Sequence, residues 1–278
     1  MNLKSTAVEL LMSKKNNSNN NENKNGCIYL VATPIGNLED ITLRALNILK
    51  TVDVIAAEDT RHTGIFLAHY DIKKRLLSYH EHNEKSRANE IIKMALEGMK
   101  IAVVSDAGTP GISDPGYIVV RLAIEAGIDI IPIPGPTAFV AALTTSGLNT
   151  DEFTFIGFLP RKKTKRVEKL EEFKEINTTM IFYESPHRLE DMLEDVFLIF
   201  GDRECCITRE ITKKFEEMKR GLLSDMLRVL KENGPKGEYV IVVEGYLSYK
   251  ERNIEPDGKP IKRIHENKYA KYSKFSEC

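Results

Sequence analysis

Between residues 27 and 133 short apolar runs and helix-patterned stretches take turns along the chain. That alternation constrains the fold more than any other feature. The runs are Cys27–Thr33, Val52–Ala57, Arg75–Tyr79, Ile101–Ser105 and Ile128–Ile133, several of them apolar nearly throughout, as strands covered on both faces are. The stretches between them keep a helical period. Ala88, Ile91, Ile92, Ala95, Leu96 and Met99 recur at helical spacing, with Asn83 placed to cap. Strands that alternate with helices predict βαβ units and a largely parallel sheet.

A second half starts near Gly147–Thr150, with strands expected at Phe153–Phe158, Thr178–Tyr183, Glu204–Thr208 and Glu238–Glu244. Its best helix aligns Leu189, Met192, Leu193, Val196, Phe197 and Phe200 on one face. Ser185 is its expected cap, and Pro186 sits in the first turn, where a missing N–H costs nothing. The expected division is a leader over 1–25, a first α/β lobe over 26–147, a second over 148–246 and a basic, aromatic tail over 247–278. Residues 16–25 hold seven Asn in ten, a composition that buries nothing and predicts disorder. The tail interleaves Lys and Tyr without a helical or strand period.

Forty Lys and Arg against 41 Asp and Glu leave a net charge of −1, which excludes a globally basic coat, so polyanion contacts must be local. No apolar run approaches the ~20 residues that a membrane span needs, and the first residues lack the pattern of a secretory signal. Cys27, Cys205, Cys206 and Cys278 fit neither a metal spacing nor a disulfide framework. A reducing cytoplasm is therefore expected, with Cys205 and Cys206 as buried strand thiols. His62, His69, His80 and His82 have no further ligands at metal spacing, and no metal is expected.

In open α/β sheets ligands bind beyond the carboxyl ends of the strands. Five loops dense in Gly and Pro follow expected strands here: TPIGNL at 33–38, SDAGTPGISDPG at 105–116, PIPGPTA at 132–138, GFLP at 157–160 and YESP at 183–186. Together they predict main chain held close to a ligand. Gly108, Gly111 and Gly116 form neither a dinucleotide fingerprint nor a P-loop, which argues against dinucleotides and triphosphates. Asp106, just past a buried strand, is a candidate polar anchor, with an Asx-turn in its own loop as the alternative. Basic residues cluster beside these loops. Arg161, Lys162, Lys163, Lys165 and Arg166 follow GFLP directly, His187 and Arg188 open the best helix, and Lys213 and Lys214 follow Arg209-Glu210. These groups predict an RNA-facing surface, against the alternative of a solvated face.

The motifs TPIGNLEDIT, AAEDTRHT, SDAGTPGISDPG, PGPTA, GFLP, FYESPHR and CITREITKKFEE, in this order over about residues 26–246, resemble those of the ribosomal RNA small-subunit methyltransferase I family. The Asn-rich leader and the Lys/Tyr tail depart from that family's pattern. The resemblance implies two α/β lobes of the tetrapyrrole-methylase (class III methyltransferase) type, with S-adenosylmethionine in the cleft between them. It implies 2′-O-ribose methylation of a cytidine in 16S rRNA of the small ribosomal subunit, by a homodimer. It further implies that Pro34, Asp106, Thr109, Thr137, Ala138 and Glu184 line the cofactor pocket.

Methyl transfer from a sulfonium is an in-line displacement, to which a protein contributes alignment and exclusion of water. The hydroxyl proton leaves late, to a carboxylate, a His or water. Asp59 is the candidate base and Arg61 the group that holds a phosphate or the developing oxyanion, because both follow the second strand rather than the cofactor loops. Glu184 and Asp114 are the reserves for the base. Two other readings fit the same loops: a small-molecule, tetrapyrrole-like methyltransferase, against which the clustered Arg and Lys argue, and a non-catalytic RNA-binding assembly factor.

Overall fold

A computed structural model describes residues 26–253, so the expectations for 1–25 and for 254–278 fall outside the described residues. The chain forms two compact units that divide between Thr137 and Ala138. The first contains β1 (Cys27–Val31), α1 (Leu43–Thr51), β2 (Val54–Ala57), α2 (Thr60–His69), β3 (Arg75–Ser78), α3 (Glu84–Leu96), β4 (Ile101–Val104), α4 (Tyr117–Glu125) and β5 (Asp129–Ile133). Its five strands run in the order β3-β2-β4-β1-β5, and every pairing is parallel, as the alternation predicts.

Strand periodicity sorts the apolar residues to two faces. Ile28, Val54, Ala56, Ile101 and Val103 meet Ala88, Ile91 and Ile92 of α3 and Val119 and Ala123 of α4. Their neighbours Val31, Ile55, Ala57, Ala102 and Val104 meet Ala45 and Leu49 of α1 and Phe66 and Leu67 of α2. Continuous apolar strands are needed because both faces are covered. Asn83 does stand at the N-cap position of α3, but it makes no cap hydrogen bond. Its Oδ1 instead accepts from the His80 N–H at 2.9 Å, which tightens the turn before the helix.

The second unit holds α5 (Ala138–Ser146), β6 (Phe153–Phe158), α6 (Lys163–Phe173), β7 (Thr179–Glu184), α7 (Pro186–Phe200), β8 (Glu204–Arg209), β9 (Glu217–Leu222), α8 (Leu223–Asn233), β10 (Tyr239–Val243) and α9 (Tyr246–Arg252). The strand order is β6-β7-β10-β8-β9, and only β6–β7 is parallel. β8 and β9 follow one another with no helix between, and such neighbours pair antiparallel. Cys205 and Cys206 are buried on opposite faces of β8, where burial pushes both thiols up.

Three outcomes differ from the sequence reading. The division falls ten residues before the expected 147/148, because Ala142 and Leu143 of α5 pack on Ile181, Cys206, Val240 and Val242 of the second sheet. β9 reads EMKRGL, a polar edge strand that alternation of apolar residues does not reveal. The expected tail begins with α9, whose first N–H donates to Ile176 O at 2.8 Å.

Arg203 fastens that last helix to the body of the second unit. It is fully buried, and its guanidinium donates to Phe200 O at 3.0 Å, to Glu244 O at 3.1 Å and to Lys174 O. The rings of Phe200, Tyr249 and Tyr246 lie 4.7, 5.5 and 5.6 Å from it. Burial pulls its pKa down to about 10, so it stays charged at neutral pH. Replacing Arg203 with Met takes a donor from three carbonyls, of which those of Phe200 and Glu244 belong to buried residues. We expect the R203M variant to lose about 3–5 kcal/mol in urea denaturation of the second unit; a loss below 1 kcal/mol would contradict this role.

Candidate functional site

β4 lies beside β1, but the chain leaves β1 for β2 on one side and leaves β4 for β5 on the other. Such a reversal opens a crevice at the carboxyl edge. Here its two lips are stitched. The Thr33 N–H donates to Gly108 O at 2.9 Å, and the Gly108 N–H returns to Thr33 O at 3.0 Å. The Thr33 hydroxyl reaches Ser105 O at 3.2 Å. Gly108 has φ +82°, which a side chain would strain.

The exit of β5 joins the same edge. The Thr109 and Thr137 hydroxyls are 2.8 Å apart, and Thr109 also donates to Pro136 O at 3.4 Å. Pro34 is buried directly after Thr33, so Pro34, Asp106, Thr109 and Thr137 belong to one set of neighbouring loops in the first unit. The far end of the 105–116 loop is held by Glu84, whose Oε1 accepts from the Gly116 N–H at 3.0 Å and the Tyr79 hydroxyl at 2.9 Å.

The exit of β2 brings acids to this edge. Asp106 does not close an Asx-turn in its own loop; its Oδ1 accepts from the Asp59 N–H at 2.9 Å, 47 residues away. The Asp106 N–H in turn faces Glu58 Oε2 at 3.4 Å. Asp59 caps α2, accepting from the N–H groups of Arg61 at 2.8 Å and His62 at 3.4 Å. Its other oxygen is 3.0 Å from Arg61 Nη2, and the Arg61 hydrogen bonds hold its carboxyl down at about 2. Asp114 is its opposite. Burial, followed by the charge of Glu58, pushes Asp114 up to about 7, and burial raises Glu58 as well. The residue before it, Ser113, has φ +63°, an uncommon conformation for a residue with a side chain.

In the second unit several expected contacts are already committed. Arg166 is not available to a phosphate. Its side chain is 5% exposed, its Nε donates to Asp195 Oδ2 at 2.7 Å, and Lys163 leans on the same carboxylate at 3.6 Å. One turn into α6, Arg166 faces the core beside Leu170, and a buried guanidinium needs a buried partner. Glu184 and Arg188, expected on different ligands, pair at 3.0 Å. The Glu184 carboxylate is wholly buried and accepts from the Ser185 N–H at 2.8 Å, while Arg188 donates to Leu159 O at 2.7 Å and so ties GFLP to α7. Ser185 therefore makes no cap bond with its side chain. Lys213 is held between Glu210 and Glu238 at 3.0 and 2.8 Å.

Arg161, Lys162, Lys165, His187 and Lys214 remain exposed. Ala138 opens α5. A cavity of about 50 Å³ among Ile207, Arg209, Met226, Leu230 and Tyr239 has room for a water or two, not a nucleoside. Among the described residues no group of three His, Cys, Asp or Glu could hold a metal, and no helix is long and apolar enough to cross a membrane.

Sequence reasoning missed the Thr33–Gly108 stitch and the link from Asp106 to Asp59. The first left a faint signal, a hydroxyl residue at a strand end and a glycine in the facing loop. The second left none, since it depends on which strand exits are neighbours.

This arrangement has known counterparts. Residues 27–227 match the tetrapyrrole (corrin/porphyrin) methylases. A ribosomal RNA small subunit methyltransferase I of Halalkalibacterium halodurans is 55% identical over 220 residues, 79% of this chain and 76% of that one. The protein of that name from Escherichia coli O157:H7 is 48% identical over 83% of this chain and 82% of its own. Among solved structures, uroporphyrin-III C-methyltransferase from Thermus thermophilus, complexed with S-adenosylhomocysteine, matches with a TM-score of 0.58 at 17% identity, over 81% of this chain and 100% of that one. With its all-parallel first sheet, its largely antiparallel second and this degree of identity, the chain belongs to the ribosomal RNA small subunit methyltransferase I family, within the tetrapyrrole methylases.

Proposed function

We propose that this protein moves the methyl group of S-adenosylmethionine to the 2′-hydroxyl of a cytidine in 16S rRNA, without a metal, in the cytoplasm and as a homodimer. The substrate in the family's name supports the rRNA, and one observation on the molecule carries the reading. Arg161, Lys162 and Lys165 stand at the start of α6 with no ion pair among the described residues, and the first turn of that helix holds no acid. Cations at a helix N-terminus cost about 0.3–1 kcal/mol each against the macrodipole. A phosphate reverses that sign, since it meets both the cations and the free N–H groups.

The stitched edge of the first unit suits the cofactor. Gly108 takes φ +82°, a conformation that L side chains rarely adopt, so the glycine keeps bare main chain there. Asp106 offers a carboxylate to an amino group, and Thr109 and Thr137 offer hydroxyls beside Pro34. Ala138 and Glu184 stay in the proposed set on the resemblance alone. When bound, the cofactor supplies a methyl group on a sulfonium. The chain's own part is to align the acceptor hydroxyl and to take its proton. Arg61, with a side chain 90% exposed, can meet a phosphate of the substrate while it keeps its hydrogen bonds to Asp59. A carboxylate held at about 2 is a weak base, whereas one near 7 matches proton transfer at neutral pH. The proton acceptor in this proposal is therefore Asp114, with Asp59 and Arg61 as its electrostatic neighbours.

Methyl-labelled S-adenosylmethionine, supplied with small subunits that lack this modification, should yield labelled 2′-O-methylcytidine on digestion to nucleosides. A base-methylated product would contradict the ribose assignment, and transfer only to a porphyrinoid would favour the tetrapyrrole alternative. The acid assignments separate by pH. Folded Asp114 holds its proton more tightly than an unfolded aspartate, so the stability it contributes is complete below about pH 4 and is lost as pH rises through about 7. Asp114→Asn should flatten that decline, lower the single-turnover rate by about 10²–10⁴ and remove an ionisation near 7 from the rate profile. An unaltered profile, or a larger loss from Asp59→Asn, would return the proton to Asp59.

A further inference from the structure

Strand β6 ends in a bulge. Phe155 pairs with Ile181 and Gly157 with Phe182, so Ile156 is an extra residue in the ladder. Gly157 takes φ +70°, which glycine adopts without strain, and such bulges re-aim the side chain that follows. A one-residue slip exchanges the two faces of a strand. Ile156 faces the core under α6 and α7, and regular alternation would bury Phe158 on that same side. With the extra residue, Phe158 pairs with Tyr183 and shares the face of Phe155 and Tyr183 instead.

The ring is 55% exposed there and firmly backed. Its centroid is 5.6 Å from that of Tyr183, edge-on, and Tyr183 is 5.1 Å from Phe155. Phe155 stacks on Phe139 at 4.7 Å, and the Phe139 N–H donates to the Tyr183 oxygen at 3.1 Å. Arg161, Lys162 and Lys165 follow a few residues later, exposed and without ion pairs among the described residues. An exposed, braced aromatic ring next to free cations is how single-stranded nucleic acid is held, with a base on the ring and phosphates on the cations.

We propose that Phe158 is a stacking platform for an unpaired base of the RNA substrate, positioned so that Arg161, Lys162 and Lys165 take the adjoining phosphates. The proposal rests on the rRNA reading above and adds the residue that orients the nucleotide. Because stacking accepts any base, the ring contributes affinity and register rather than sequence choice.

The test is single-turnover methylation of undermethylated small subunits across subunit concentrations. Phe158→Ala should raise the half-saturating concentration about 10- to 100-fold and leave S-adenosylmethionine affinity within about two-fold. Phe158→Tyr and Phe158→Trp should restore it, and Phe158→Leu, apolar but without a π-face, should not. The chain has no Trp, so the indole of F158W is the sole reporter, and a short oligouridylate should quench its fluorescence in a salt-dependent way. Parental saturation by F158A, or rescue by Leu as good as by Trp, would overturn the proposal. So would a change in sedimentation of F158A, which would assign the ring to contact with a second copy. If the parent protein itself transfers no methyl to small subunits, the rRNA reading fails; if the parent does and F158A matches it, only the stacking assignment fails.

Discussion

Two main-chain hydrogen bonds between Thr33 and Gly108 hold together strand exits that the first sheet otherwise sends apart. Each is worth only about 1 kcal/mol net, yet the rest of the candidate site depends on where they fix the loops. They set the height of the 105–116 loop, which carries Asp106, Thr109 and Asp114. Through the Thr109–Thr137 contact they also set the exit of β5. Asp106 extends the same tie to the exit of β2, by accepting the Asp59 N–H. Four strand exits, those of β1, β2, β4 and β5, thus converge on one rim.

Charge in this protein divides into groups that build and groups left over. Arg166, Arg188, Lys213 and Arg203 are tied to Asp195, Glu184, Glu210 and main-chain carbonyls, and breaking the first two pairs is costly because Asp195 and Glu184 stay buried. Arg161, Lys162 and Lys165 are spent on nothing within the described residues and sit at a helix end that disfavours them. A near-neutral chain can still present a polyanion site, since its net charge of −1 averages over both kinds. The acids divide likewise. Asp59 is kept ionised by Arg61, while Asp114 is kept partly protonated by burial and Glu58.

The first unit was legible in the sequence because its central strands β2 and β4 are apolar on both faces and each connection is a helix. Its five strands and their parallel sense follow from that pattern alone. The second unit was less so. EMKRGL at the sheet edge and KTKRVEKLEEF over α6 are rich in charge, and their structure comes from neighbours rather than from their own periodicity. At the site, Asp106 and Asp59 could be named from their place after strands, but not that one binds the other's backbone. The basic run could be seen and its burial pattern could not, since Arg166 and Lys165 differ only by the hundred-degree step of a helix. Phe158 was hidden by a one-residue bulge that reverses the facing expected of it.

The stitched loops of the first unit are the proposed site for S-adenosylmethionine, held there through main chain, hydroxyls and one carboxylate. Calorimetric titration of S-adenosylmethionine in EDTA, into the parent protein and Thr109→Val, tests it most directly. The prediction is one site per chain for the parent, unaffected by EDTA, and an affinity at least about tenfold weaker for Thr109→Val, from one lost hydroxyl contact and the loosened β5 exit. No binding by the parent without a divalent ion, or parental affinity in a folded Thr109→Val, would contradict the claim.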